Sequence, residues 1–395
     1  MVSLRSENVP ASSGTTLSTR PTCPAARHSP YFDVPIVDLY GHEQLRERLA
    51  ESLRAGTLPS SLLFQGPRGV GKQRLALWLA QRLFCAESSA ETGLQAGCGK
   101  CTSCRYVAAL THPDLHWVFP RPRLKDSDPD LEQVRDDYAE ATAERAAENG
   151  LYAAPSGSEG IYVATVRSLV QRAAMAPAMG RRKVFIIGDA ERMVPQEGAD
   201  MAANAFLKLL EEPPADTTII LTSSEPGALL PTIRSRVVTV RVPLVQDSAV
   251  RAFVENPVVK KALDANGKAT AAERVRAAAG APGRLLSGDS DARATINARR
   301  IMDAATGARR SLVHSTALSQ GSFGARGNFA DTLEALVELL GERARDALHK
   351  KDSAAAASAS QAVDAVLKAE THASGNVSPQ LLTSKLIRDL SATLK

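Results

Sequence analysis

The sequence predicts an α/β protein with a doubly wound parallel sheet, followed by chain that is helical throughout. Three observations carry this expectation. Short, continuous apolar runs recur between helical patterns, as strands buried on both faces do. A glycine-rich turn joins the first of these runs to a helix, which points the helix N-terminus at the turn. From about Asp247 onward only helical periodicity remains.

Each element follows in order. Residues 34–58 carry Leu45, Leu49 and Leu53 at helical spacing and predict a helix ahead of the turn. Residues 61–64 (SLLF) predict a buried strand, and residues 74–80 the helix beyond the turn. Residues 112–119 predict a strand, in which His112 and His116 are ordinary strand and loop residues. Residues 121–158, charged, bounded by proline and rich in Ala and Glu, predict a surface insertion with one solvated helix. Residues 161–175 predict a helix with Val166, Leu169 and Val170 on one face. Residues 183–187 (KVFII) read as a central parallel strand. A helix over 204–212 is stopped by Pro213 and Pro214. A strand over 217–224 ends in the hydroxyls of Thr222, Ser223 and Ser224, and residues 230–237 lead into a last strand at 238–240. Leu333, Leu336, Leu339 and Leu340 mark one later helix. Val363 and Leu367 argue that the alanine-rich stretch 354–369 is helix and not low-complexity tail.

The chemistry concentrates at the turn. Gly66-Pro67-Arg68-Gly69-Val70-Gly71-Lys72-Gln73 fits G-x-x-x-x-G-K-[ST] in all but its last residue. In that pattern the segment holding Gly66, Pro67, Gly69 and Gly71 lets backbone N–H groups wrap a phosphate chain, and Lys72 reaches the outer phosphates. The last residue supplies a hydroxyl to Mg²⁺, and here it is Gln73, a much weaker ligand. A turn that binds nothing is the plainer alternative, and the flanking strand and helix argue against it. The strand at 183–187 runs into Gly188-Asp189-Ala190-Glu191, where such proteins place the carboxylate that positions Mg²⁺ and the attacking water. Asp189 remains as the candidate, while Gly188 replaces the first acid. Both lapses fall on hydrolysis, so ATP or ADP binding is expected to be possible, Mg²⁺ binding doubtful and turnover weak or absent.

A second cluster is metal-like. Cys98, Cys101 and Cys104 form C-x-x-C-x-x-C, and Cys85 lies thirteen positions earlier. Four thiolates at this spacing can close a tetrahedron on Zn²⁺, with Gly97 and Gly99 easing the turns. No water-activating carboxylate lies nearby in sequence, so a structural ion is expected. Cys23, in the N-terminal stretch, is a bystander.

Composition bounds the rest. At 395 residues, 44% hydrophobic and 23% charged, the chain has the make-up of a soluble globular protein of two or three domains. No run of about 18 apolar residues is present, so no membrane span and a cytoplasmic location are expected. A net charge of +5, from 48 basic and 43 acidic residues, permits contact with nucleic acid without arguing for it. Aromatic residues make up only 4%, which poorly supplies a base-stacking surface. Residues 1–31, rich in Ser, Thr, Pro and Arg, are expected to be a disordered tail.

Together, G-P-x-G-x-G-K, the four-cysteine knuckle, N-A-x-L-K-x-L-E-E-P-P at 204–214 and R-S-R at 234–236 resemble the bacterial clamp-loader ATPases of DNA polymerase III, over about residues 34–300. Within that family, I-I-x-D-A-x-x-M at 186–193 looks like the delta-prime type. The gamma/tau type instead carries Asp-Glu after the apolar run and Thr after the loop lysine. The resemblance implies an AAA+ nucleotide domain over 32–244, with the zinc module at 85–104 and the insertion at 121–158. It further implies a helical lid over 245–288 and a helical collar over 289–395. It implies a five-subunit ring with gamma/tau and delta subunits that loads a sliding clamp on primed DNA. Arg236 matches the arginine that reaches in trans into a neighbour's ATP site, where a permanently charged fork neutralises charge on the transferred phosphate. Arg284 matches the lid arginine that senses nucleotide. Val237 stands where the family often has Cys. Two alternatives stay open: an active gamma/tau-type ATPase, and a zinc-containing DNA-binding adaptor without ATP-linked work.

Overall fold

The computed structural model describes residues 36–394 apart from 88–92, 127–128, 154–158, 180, 194–199, 266, 287, 308–309, 319–325 and 374–377. Residues 1–35, including Cys23 and the predicted tail, lie outside the described residues.

Five strands form one all-parallel sheet: β1 (Ser61–Gln65), β2 (Leu115–Val118), β3 (Lys183–Ile187), β4 (Thr217–Ser223) and β5 (Val238–Arg241), in the spatial order β2-β3-β4-β1-β5. In β1, Leu63 sits opposite Leu221 on one side and Thr239 on the other. Side chains alternate between faces, which explains why the central runs are apolar throughout. Leu62, Phe64, Val184, Ile186 and Ile220 enter one core with α1 (Glu43–Arg54), α2 (Lys72–Phe84) and Val107 of α3 (Thr102–Ala108). Leu63, Phe185, Ile187, Ile219 and Leu221 enter the other, with α5 (Val163–Ala173) and α6 (Asp200–Glu211). The fold is α/β with helices on both faces, as the alternating runs predict.

Two of the boundaries that differ from the sequence reading have a clear physical reason. The first helix begins only at Glu43, because Ile36 and Val37 donate their N–H groups to Ala108 and Asn149 carbonyls, and Gly41 and His42 turn through positive φ. Strand β2 begins at Leu115 rather than His112. The Leu115 N–H closes a turn onto the His112 carbonyl, and the buried Asp114 carboxylate accepts the Ala178 and Met179 N–H groups.

The insertion is corrected more substantially. Its helix α4 (Leu131–Ala147), N-capped by Asp130 in a capping box with Gln133, is not a solvated rod. Val134 and Ala141 are buried, the Tyr138 hydroxyl donates to the Phe119 carbonyl at 2.8 Å, and Arg121 pairs with Asp137 at 2.9 Å. Arg145 lies over the rings of Trp117, Phe119 and Tyr152. Val134 and Ala141 share this face with Tyr138 and Arg145, so only a short, mixed stripe announces the contacts.

After the sheet come α7 (Pro231–Arg234, just before β5), α8 (Asp247–Glu255), α9 (Pro257–Ala265) and α10 (Ala271–Ala278). The remainder is a bundle of α11 (Gly288–Thr306), α12 (Arg310–Leu318), α13 (Arg326–His349), α14 (Ser353–Ala373) and α15 (Pro379–Thr393). Its core joins Ile301, Leu333, Leu336, Leu340, Val366, Leu386 and Leu390. Helix α14 is confirmed, but by a different stripe. Ala356, Ala359, Ala362, Val366 and Ala369 are buried, whereas Leu367 faces out and Val363 is half-buried. Small residues on that face let α13 and α14 approach closely.

Candidate functional site

The C-terminal ends of β1, β3 and β4 converge, the usual place for a ligand in a parallel sheet. From β1 the chain enters the glycine-rich turn, and α2 starts at Lys72 with Gly71 as its N-cap at φ +96°. His42, whose pKa burial lowers, donates from Nε2 to the Val70 carbonyl at 2.9 Å and fixes the turn from the α1 side.

Gln73 explains the site. Its Nε2 donates to the Asp189 carboxylate at 3.0 Å, and its Oε1 accepts the Trp117 indole N–H at 3.0 Å. Position 188 lies directly beneath: a Cβ there would sit 2.5–2.6 Å from the three heavy atoms of the Gln73 amide. Gln73 is buried, so the amide has nowhere to retreat without losing both hydrogen bonds. The two apparent lapses, Gln73 and Gly188, are therefore one packed unit that occupies the room beside Asp189.

The neighbouring groups are equally engaged. Lys72 Nζ donates to the Gly66 and Pro67 carbonyls at 2.9 Å each and to Ser224 Oγ at 2.8 Å. Burial lowers its pKa, against the pull of Asp189 and Glu191. Asp189, at φ +48°, donates its N–H to Thr222 Oγ1, and Ser224 donates its N–H to Glu191. Burial, and then the Asp189 charge, raise the Glu191 pKa. The cavity left between Lys72, Asp189 and Tyr152 holds about 120 Å³. That falls below the roughly 300–1,000 Å³ of small-molecule sites. In this arrangement the residues do not fit a Mg²⁺–nucleotide.

The turn is also docked from behind. Gly283 donates its N–H to the Gly69 carbonyl at 2.8 Å, and a Cβ on Gly69, at φ +76°, would lie 2.9 Å from the Arg284 nitrogen. Arg284 pairs with Glu338 of α13, and Arg68 pairs with Glu334 at 2.7 Å and Asp331 at 3.3 Å on the same helix. Burial disfavours the Arg68 charge, but Glu334 and Asp331 outweigh it and hold the guanidinium above its ordinary pKa.

Arg236 stands apart from this cavity, in the turn between α7 and β5. It donates to the Thr232 carbonyl at 2.9 Å and pairs with Glu211, at the end of α6, at 2.5 Å.

The four cysteines come together. The Sγ atoms of Cys85, Cys98, Cys101 and Cys104 lie within 4.8 Å of one another, so the group could hold a metal ion. Backbone N–H groups of Cys98, Cys101 and Cys104 point at the sulfurs of Cys85, Cys98 and Cys101 at 3.3–3.4 Å. Converging thiols with N–H groups aimed at them fit a tetrahedral thiolate site. The module is tied to α2 by Trp78 Nε1 donating to the Leu94 carbonyl and by Arg82 donating to the Gly93 and Gln95 carbonyls.

Of the residues singled out in the sequence, Gly66, Gly69, Gly71, Lys72, Gln73 and Asp189 assemble around one turn, with the Arg284 backbone against it. Trp117, Tyr152, Arg145, His42, Glu211 and Glu338 were missed. Only Trp117 carried a usable signal: strand parity places it with Leu115 on the α2 face, beside Gln73.

Architecturally this is a parallel α/β protein with a glycine-rich turn at the C-terminal edge of its sheet, a four-cysteine cluster and a C-terminal helical bundle. Residues 41–246, just over half of the chain, match the family described as DNA polymerase III, delta subunit. The chain belongs to that family, within the clamp-loader group that its motifs resemble. It is 34% identical over 182 residues to the Pseudomonas aeruginosa DNA polymerase III subunit delta', covering 46% of this chain and 42% of that one. It is 30% identical over 202 residues to the Bacillus subtilis subunit delta', covering 51% and 47%. To the Mycobacterium tuberculosis subunit gamma/tau it is 31% identical over 211 residues, covering 53% and 29%. The matches thus span less than half of each relative. A solved gamma subunit-related protein of DNA polymerase III from Thermotoga maritima aligns over 89% of this chain and 99% of its own, at 14% identity and a TM-score of 0.35. Among the described residues no helix is long and apolar enough to cross a membrane.

Proposed function

We propose that this chain is a delta-prime-type subunit of a DNA polymerase III clamp loader. Its own AAA+ nucleotide site is idle, and Arg236 serves the ATP site of a neighbouring gamma/tau-type subunit. On this reading it works in the cytoplasm in a five-subunit ring with gamma/tau and delta subunits, which places a sliding clamp on primed DNA. Residues 32–244 form the nucleotide domain, 245–288 the lid and 289–395 the collar. Cys85, Cys98, Cys101 and Cys104 hold a structural Zn²⁺, whose contribution is cross-linking alone.

The observation that supports the idle site is the Gln73 amide wedged between Trp117, Asp189 and Gly188. A hydroxyl at position 73 would leave Asp189 free for Mg²⁺; the amide satisfies that carboxylate instead. Titration of the isolated protein with a fluorescent ATP analogue and Mg²⁺ tests this, and no saturable micromolar binding is expected. A mutational cycle tests the geometry. Gly188→Asp alone is expected to destabilise the fold by about 1–3 kcal/mol through overpacking. With Gln73→Thr added, most of that loss should return in chemical denaturation, since the clash is with one side chain. Additive losses would remove the coupling.

The kept Lys72 and Asp189 favour a second reading, an active gamma/tau-type ATPase. It requires brisk turnover by the isolated chain that Lys72→Ala abolishes.

A further inference from the structure

Beside the outer edge of β2 lies a slot of about 500 Å³, walled by α4 and α5 and sharing no lining residue with the cavity at the glycine-rich turn. We propose that it is a docking site for an extended segment of a partner protein. The segment adds to the edge of β2, seats apolar side chains between the two helices and places a carboxylate between Arg135 and Arg172.

The backbone supplies the first argument. Among the described residues β2 pairs only with β3. The Asp114 and Val118 carbonyls accept Val184 and Gly188 N–H groups, so alternate residues 114, 116 and 118 face β3. This leaves the Leu115 carbonyl and both peptide groups of Trp117 on the outer edge, the template that strand addition uses. Helix α4 stands off from that edge because it presents Thr142, Ala143 and Ala146 there, where larger residues would have closed the gap.

Charge supplies the second. Among the described residues no aspartate or glutamate lines the slot, and the only charged lining residues are Arg135 and Arg172. Neither has a carboxylate partner among the described residues. Arg135 donates to the Leu131 carbonyl and to Gln171. Burial, and then repulsion from Arg135, lower the Arg172 pKa. His116, with a pKa lowered to about 4 chiefly by burial, leaves the positive charge of the slot to the two arginines. Two guanidiniums lining one slot, close enough for Arg135 to depress the Arg172 pKa and with no acid among the described lining residues, are complementary to an acidic, apolar strand. The insertion thereby has a role that the idle nucleotide site does not give it.

The probe is a fluorescein-labelled octapeptide of alternating valine and threonine that ends in two glutamates, compared with one ending in two glutamines. Anisotropy with the full-length protein should show binding of the acidic peptide at about 100 μM or tighter. Arg135→Glu with Arg172→Glu should weaken it by about tenfold. Hydrogen exchange on the wild-type protein should show the Trp117 amide protected only with the acidic peptide, a readout independent of whether the variant folds. No binding at millimolar peptide, equal affinity for both peptides, or an unprotected Trp117 amide would overturn the proposal. So would displacement of the peptide by decanoate with that amide left unprotected, which marks a small-carboxylate pocket. None of these outcomes depends on clamp-loader assembly or on nucleotide.

Discussion

Arg236→Ala is expected to reduce ATP hydrolysis by the reconstituted five-subunit assembly about 10³-fold or more, within the range an arginine supplied in trans contributes. The isolated chain should be almost unaffected. Arg236 is held by Glu211 and the Thr232 carbonyl on a partly exposed surface. A pair of that kind is worth about 0–1 kcal/mol. Its weakness matters mechanistically: the guanidinium can leave Glu211 for a stronger anion across an interface at little cost. Arg236→Lys should recover only a small part of the rate, because an ammonium lacks the planar fork. Steady-state hydrolysis by assemblies built on wild-type, Ala and Lys chains reads this directly. Equal rates in all three would remove Arg236 from the reaction.

Loss of the metal should have the second large effect. Purified protein is expected to carry one equivalent of zinc, and Cys101→Ser to abolish its retention. Structural zinc contributes on the order of 10 kcal/mol to the folding of its module. Unfolding residues 85–104 would release the Trp78 and Arg82 anchors on α2, the helix that begins at Lys72. Chelation should therefore lower the melting transition and raise hydrogen exchange across α2 as well as the module. An apo protein that melts like the holo protein would show that the sulfurs need no ion.

What the sequence made legible follows from where contacts are made. Strands β1, β3 and β4 are buried on both faces, and their continuous apolar runs identify them almost to the residue. The cysteine cluster is local, so spacing alone assembles it. The interlock was not legible, because Gln73, Trp117 and Gly188 are brought together only by the sheet. From the sequence, the glutamine and the glycine look like two separate losses. Helix α4 was misjudged because its anchors are Tyr138 and Arg145, residues that count as polar in any periodicity. Arg284 was matched to nucleotide sensing by its place in a motif; its ion pair with Glu338 of α13 was not legible, because the bundle brings that partner from far along the chain.

The packing of Gln73 on Gly188 also bears on how such a chain can change over generations. An acid introduced at 188 would meet the amide, and a hydroxyl introduced at 73 would leave a hollow over glycine and an indole without its acceptor. Each change alone passes through a less stable protein, so the pair is held in place by its own packing. On the reading proposed above, a hydrolytic site could arise here only if both positions changed together.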